Sequence, residues 1–168
     1  VLGEKFLSTH LKRIYLLAGL VWLADLSTKV WAQNNLSTSQ PIKVIGNLLR
    51  LTFVRNPGAA FSFAEGATIF FSLFALLVFV GIIYFSPRIT SRGWSWVLGL
   101  VLGGVLGNLT DRVFRAPGFL RGHVIDWIEL PKWPIFNLAD SAIVVAAGIA
   151  IVLSIRNIPP ITANRESS

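Results

Sequence analysis

Residues 136–155 read Phe-Asn-Leu-Ala-Asp-Ser-Ala-Ile-Val-Val-Ala-Ala-Gly-Ile-Ala-Ile-Val-Leu-Ser-Ile, an apolar run with an amide and an acid at its entrance. Its length matches the ~20 residues an α-helix needs to cross bilayer hydrocarbon. Three more segments of similar reach precede it, at about 14–31, 67–85 and 94–109. The composition agrees: 54% of the 168 residues are hydrophobic and 14% charged, with a mean hydropathy of +0.66, too apolar for the surface of a soluble domain. Backbone polar groups in hydrocarbon must be satisfied within the segment or by a closed sheet. Long uninterrupted runs favour helices, so the expected fold class is an all-α membrane protein with one four-helix domain over 1–156. Lys5, Lys12 and Arg13 followed by an apolar run look a little like a signal peptide. That run carries Asp25 and Lys29 and lacks a clear small-residue cleavage site, so it reads as a retained first span.

Four spans alternate in direction. The end of the first, the end of the third and the start of the fourth therefore meet one membrane face. The polar interruptions sit at those ends: Asp25 and Lys29, then Asn108, Asp111 and Arg112, then Asn137 and Asp140. The long connections Gln33 to Gly66 and Val113 to Ile135 lie on the same face, and Ser86 to Gly93 makes a short turn on the other. The basic residues just before the first span place both termini in the cytoplasm and the convergent face outside. In the first long connection Leu49, Leu51 and Phe53 alternate with Arg50, Thr52 and Val54, the period of a half-buried strand, so a small extracytoplasmic β-sheet is expected beside a second extracytoplasmic loop. Gly99, Gly103 and Gly107 form a stripe along the third span where another backbone can approach. The polar segment 157–168, with Pro159 and Pro160, is expected to be a disordered cytoplasmic tail.

A formal charge of +7 raises the question of nucleic acid, but the basic residues lie between the apolar runs and form no stripe with interleaved aromatics. With no cysteine there is no thiolate nucleophile. His10 and His123 make no HExxH zinc motif. A Ser62–Lys29 dyad competes with the i,i+4 pairing of Lys29 to Asp25. Asp25 and Lys29 read first as a buttress. Asn108, Asp111 and Arg112 share one helix face, from which Arg112 can fork to a carboxylate or a carbonyl. Asn137, Asp140 and Ser141 repeat that spacing near a positive helix end. Asp126, in His123-Val124-Ile125-Asp126-Trp127-Ile128, has apolar flanks unusual for a loop aspartate. If Asp126 and Asp140 share a site, they hold one proton between them. One member then draws a proton from water and the other donates to a scissile carbonyl, with no metal or cofactor. An ion-coupled carrier also gathers acids on facing helices, and a non-enzymatic assembly factor could use the glycine stripe. Pattern alone leaves these open.

The motifs Asp25-Leu26-Ser27-Thr28-Lys29, Asn56-Pro57-Gly58-Ala59-Ala60-Phe61-Ser62, Gly103-Gly104 with Gly107-Asn108 and Asp111-Arg112, Val124-Ile125-Asp126, and Phe136-Asn137-Leu138-Ala139-Asp140-Ser141 resemble, in order, those of the bacterial lipoprotein signal peptidases. Trp127 stands where that family usually has Phe. The resemblance implies an inner-membrane aspartic endopeptidase that cleaves diacylglyceryl-modified prolipoproteins just before the lipid-modified cysteine. It also implies sensitivity to globomycin. By motif, Asp126 and Asp140 are the catalytic dyad. Asn56, Gly58, Gly104, Asn108, Arg112, Asn137 and Ala139 match positions that shape the site or contact substrate or inhibitor. Asp25, Lys29 and Asp111 match supporting polar positions. Membrane lipid is an expected partner, and one chain carries the whole constellation, so a monomer is expected.

Overall fold

The computed structural model describes residues 2–58 and 66–162. Four helices, α1 (Leu2–Asn35), α2 (Gly66–Phe85), α3 (Arg92–Phe114) and α4 (Leu138–Ile155), are joined by three strands, β1 (Ile42–Ile45), β2 (Leu49–Asn56) and β3 (Val124–Glu129), and a 3₁₀ turn at Ser86–Arg88. All four helices are long and apolar enough to cross a membrane.

The helix α3 is the axis of the bundle, because its small residues let two other helices close on it. Gly99 and Gly103 face α1: a Cβ on Gly103 would lie 2.8 Å from the Ala18 carbonyl oxygen, and one on Gly99 3.1 Å from that of Ile14. Gly104, one residue round the helix, faces α4 with the Ala139 carbonyl 2.6 Å from its Cβ position. The glycine stripe is thus a packing device. On α1 the buried residues His10, Ile14, Ala18, Asp25, Lys29 and Ala32 recur at spacings of three, four and seven, which is one helical face. The opposite faces carry exposed apolar side chains such as Leu16, Leu20, Phe70, Leu77, Val144 and Ile155, as lipid contact requires.

Several elements run further than the apolar runs foretell. The first span begins at Leu2, not Ile14, and the third ends at Phe114, not near Leu109, so Asp111 and Arg112 lie within α3. Asn137 caps α4 and Phe136 lies outside it, bridged to Ile128. The strand expected from the 49–54 alternation is β2. Part of the expected second loop is instead β3, and the sheet is antiparallel in the order β1-β2-β3. Its register sets Val54 opposite Asp126 and Asn56 opposite Val124. Residues 157–162, expected to be disordered, fold back onto the start of α3. The Trp94 indole donates to the Ile158 carbonyl at 2.8 Å, and the Thr90 and Ser91 amides donate to that of Pro160. Ala59, Ala60, Phe61, Ser62 and residues 163–168 lie outside the described residues.

Candidate active site

Asp126 sits in the middle of β3 and is 2% exposed. Cross-strand pairing brings Asn56, the last residue of β2, to it, and the Asn56 amide donates to Asp126 Oδ2 at 2.7 Å. The second oxygen, Oδ1, accepts from Asn137 Nδ2, also at 2.7 Å. Asn137 is the N-cap of α4, and Asp140 three residues on completes a reciprocal capping box. The Asp140 amide donates to Asn137 Oδ1 at 3.0 Å, and the Asn137 amide donates to Asp140 Oδ2 at 3.3 Å. Asn137 thus binds both acids at once, with its side chain to Asp126 and its backbone to Asp140. Burial pushes the Asp126 carboxyl up to about 6; the hydrogen bond from Asn56 opposes this and the neighbouring charge of Asp140 adds to it.

Beneath the pair lies a charged layer. Lys29, fully buried, pairs with the carboxylates of Asp25, Oδ2 at 2.7 Å, and Asp111, Oδ2 at 2.8 Å, and donates to Asn108 Oδ1 at 3.0 Å. Asp25 Oδ1 accepts the Ala139 amide at 2.9 Å, so α1 holds the first turn of α4 in place. Asp111 also accepts from the Arg115 side chain and from the Ile125 amide, which fixes β3 beside the Asp126 that follows. Asn108 passes the order upward, donating to Asp140 Oδ1 at 2.8 Å. The Arg112 guanidinium donates to the Gly122 carbonyl at 3.0 Å and that of Asn56 at 3.3 Å, tying both long connecting segments to α3. Gly58, at φ +105°, takes a backbone shape that side chains disfavour, and a Cβ there would press the Phe71 ring at 3.2 Å. The positions matched to the family motifs as catalytic, site-shaping or supporting, Gly104 and Ala139 included, therefore fall in or directly against one cluster.

Two contributors escape sequence reading. The second span reads as free of polar interruption, yet Thr68 and Ser72 are buried on it. Thr68 donates to the Pro57 carbonyl, and the Ser72 hydroxyl reaches those of Leu120 at 2.7 Å and Thr68 at 2.9 Å. They pin both long connecting segments beside the site; two hydroxyls four residues apart at one end of an apolar span were the available signal. A cavity of about 420 Å³ opens next to the cluster, lined by Phe71, Phe74, Ala75 and Val78 of α2, by Val101, Val105, Asn108 and Arg112 of α3, and by Val124 and Ile143. It is apolar along the bundle and polar where Asn108 and Arg112 close it. Among the described residues, no three His, Cys, Asp or Glu side chains gather as metal ligands.

A family described as signal peptidase (SPase) II matches residues 17–156. The lipoprotein signal peptidase of Rhodococcus jostii (strain RHA1) is 45% identical over 154 residues, covering 90% of this chain and 78% of the relative. That of Mycobacterium avium (strain 104) is 46% identical over 146 residues, covering 87% and 80%. A solved bacterial membrane enzyme superposes with a TM-score of 0.76 at 27% identity, over 86% of this chain and 93% of the other. With four membrane-crossing helices and a motif set held in one cluster, the chain belongs to the signal peptidase II family of membrane aspartic peptidases.

Proposed function

We propose that this chain removes signal peptides from prolipoproteins with Asp126 and Asp140 as its catalytic dyad. The observation that carries the assignment is the double use of Asn137, which hydrogen-bonds both carboxylates, with Asn108 linking Asp140 to the polar end of an apolar cavity. The pair carries one proton, because two neighbouring carboxylates in a water-poor site resist double ionisation. The ionised member takes a proton from a water, whose oxygen attacks the scissile carbonyl carbon. The protonated member donates to the carbonyl oxygen. Collapse of the tetrahedral intermediate breaks the C–N bond, and the leaving nitrogen takes up a proton from the dyad.

The substrate reading follows from the same geometry. The apolar cavity between α2, α3 and α4 suits acyl chains and the hydrophobic part of a signal peptide, while Arg112 and Asn108 at its polar end suit backbone carbonyls. A cysteine bearing a diacylglyceryl group would then present the bond before it to the dyad at the depth where lipid meets water. Globomycin-type inhibitors would occupy the same groove, with Asn56, Gly58, Gly104, Asn137 and Ala139 shaping its wall. Asp25, Lys29 and Asp111 act through Asn108 and Ala139 as positioning residues. The enzyme works as a monomer in the bacterial cytoplasmic membrane, with the sheet and site outside and the termini in the cytoplasm.

The purified protein in nanodiscs, incubated with a diacylglyceryl-modified precursor, should shorten it by the signal peptide, and neither Asp126→Asn nor Asp140→Asn should do so. Full turnover by either variant overturns the dyad. Equal turnover of a precursor lacking the lipid overturns the substrate reading.

A further inference from the structure

At the same end of the bundle a second cavity, of about 230 Å³, lies apart from the dyad. Gln33 of α1, Arg55 of β2, Phe114 and Arg115 at the end of α3, and Ala116 and His123 of the following segment line it. Its volume falls below the roughly 300–1,000 Å³ of sites for drug-sized ligands, so it suits a small group and not a peptide segment. Its lining is basic: two guanidinium groups and an imidazole, without a carboxylate.

The local charge balance shows what kind of group. Asp25 and Asp111 are matched by Lys29 and Arg115, so that buried layer is neutral. Arg115 is held on two sides, its Nε on Asp111 and its Nη1 on Gln33 Oε1 at 2.8 Å, which orients the guanidinium at the cavity wall. Arg55 is surplus. It is exposed, lies 5.7 Å from the centroid of the Phe53 ring, and forms no ion pair among the described residues. The free guanidinium fork of Arg55, the Nη2 of an Arg115 already oriented through Nε and Nη1, and an imidazole around a small space form an arrangement suited to phosphate oxygens. The wall also names the source. Phe114, 80% exposed, is a lining residue at the C-terminal end of α3, a helix apolar enough to span a membrane, with the 72% exposed Phe119 five residues on. An acyl-bearing phosphate meets both surfaces, whereas a free ion uses only one.

We propose that this cavity binds a phosphate group, supplied by the headgroup of an anionic phospholipid, with Arg55, Arg115 and His123 as its donors. The site holds a resident lipid beside the peptidase centre and needs no substrate.

The test uses the full chain in detergent micelles, titrated with short-chain phosphatidylglycerol, the matching phosphatidylcholine, or inorganic phosphate, with binding read by calorimetry. Saturable binding of phosphatidylglycerol in preference to phosphatidylcholine is expected. Arg55→Gln should weaken it about tenfold, the loss of one charged hydrogen-bonding partner, and Arg55→Lys should weaken it less. Failure of inorganic phosphate to compete supports the lipid source. Competition by inorganic phosphate with the same Arg55 dependence keeps the phosphate site but overturns the lipid assignment. Equal affinity for both lipids, unchanged in Arg55→Gln, overturns the proposal. Arg55 is an exposed strand residue, and His123→Gln is a second variant that leaves the buried ion layer untouched. Because binding is read without precursor, the outcome stands apart from that of the cleavage assay.

Discussion

Removing the Lys29 charge should cost more than any other single change in the buried layer, and the cost should be largely recovered by removing Asp25 as well. Lys29 and Asp25 are each 0% exposed, and the Lys29 ammonium pairs with two carboxylates and donates to Asn108. In Lys29→Met, Asp111 keeps Arg115 and the Ile125 amide. Asp25 keeps only the Ala139 amide on Oδ1 and is left as a buried carboxylate without a cation. Breaking such a pair from one side costs about 3–5 kcal/mol. Asp25→Asn alone turns an amide donor toward the ammonium, at about 1–3 kcal/mol. In the double variant neither orphan exists and Asp111–Arg115 remains neutral. The double should therefore be less destabilised than the sum of the singles by about 2–3 kcal/mol. Equilibrium unfolding of the four proteins in mixed micelles measures this coupling. Additivity to within about 0.5 kcal/mol would refute the claim that the two charges act as one unit. In the cleavage assay Lys29→Met should also lose activity, by up to about 100-fold, because Lys29 orients Asn108 and Asn108 orients Asp140.

Asp126→Asn and Asp140→Asn should each lower cleavage by about 10³-fold or more while the protein still folds, since under the proposed dyad each removes a proton-transfer group; single-turnover cleavage of a lipidated precursor decides it. The Asp126 carboxyl is raised from 3.8 to about 6, so the folded state binds this proton more tightly than the unfolded one. Its stabilisation is complete below about pH 4 and lost as pH rises through 6, about 3 kcal/mol in all. Asp126→Asn should flatten that part of a thermal-stability profile against pH. Gly103→Ala brings a Cβ to 2.6 Å from Val21 Cβ and 2.8 Å from the Ala18 carbonyl, and should cost about 1–3 kcal/mol. Gly148→Ala, with nothing within 4 Å, should be neutral or gain up to about 1 kcal/mol in helix propensity; comparing their melting temperatures tests the packing account.

The helices were legible because hydrocarbon leaves the chain few choices, and an apolar run of the right length is enough to read one. Their ends were not. Asp111 and Arg112 look like the close of a span, yet α3 continues because Lys29 and Arg115 take up Asp111 and two backbone carbonyls take up Arg112. The strand β3 was hidden for a similar reason. Val124, Ile125 and Asp126 are buried in succession, so no alternation marks it, and its partner β2 lies about 70 residues earlier in the chain. Thr68 and Ser72 went unnoticed because a hydroxyl in a helix can satisfy itself on a carbonyl one turn back, which leaves little trace in hydropathy. That the charged positions gather at one end follows from alternating spans. That Asn137 is their hub does not, since it depends on a capping geometry only the folded α4 provides.

The two layers, the lower one buried and the upper one half-buried at Asp140, obey one constraint. In a low-dielectric interior a lone charge is expensive, so charges come in balanced sets or are neutralised by protons. The lower layer balances itself with side chains: two carboxylates, one ammonium and one guanidinium. The upper layer has two carboxylates, Asp126 and Asp140, and the guanidinium of Arg112, which is 7% exposed and feels both as well as Asp111. It comes to neutrality when the dyad holds a single proton. That is the state an aspartic peptidase needs at the start of its cycle, with one member ready to accept and the other ready to give. On this reading the proton on the dyad answers the same low dielectric that pairs Lys29 with its acids below. Arg112→Gln should then do more than loosen the long connecting segments. It should favour a second proton on the dyad and move the acidic limb of the cleavage pH profile upward, whereas a purely structural loss would lower the whole profile without shifting it.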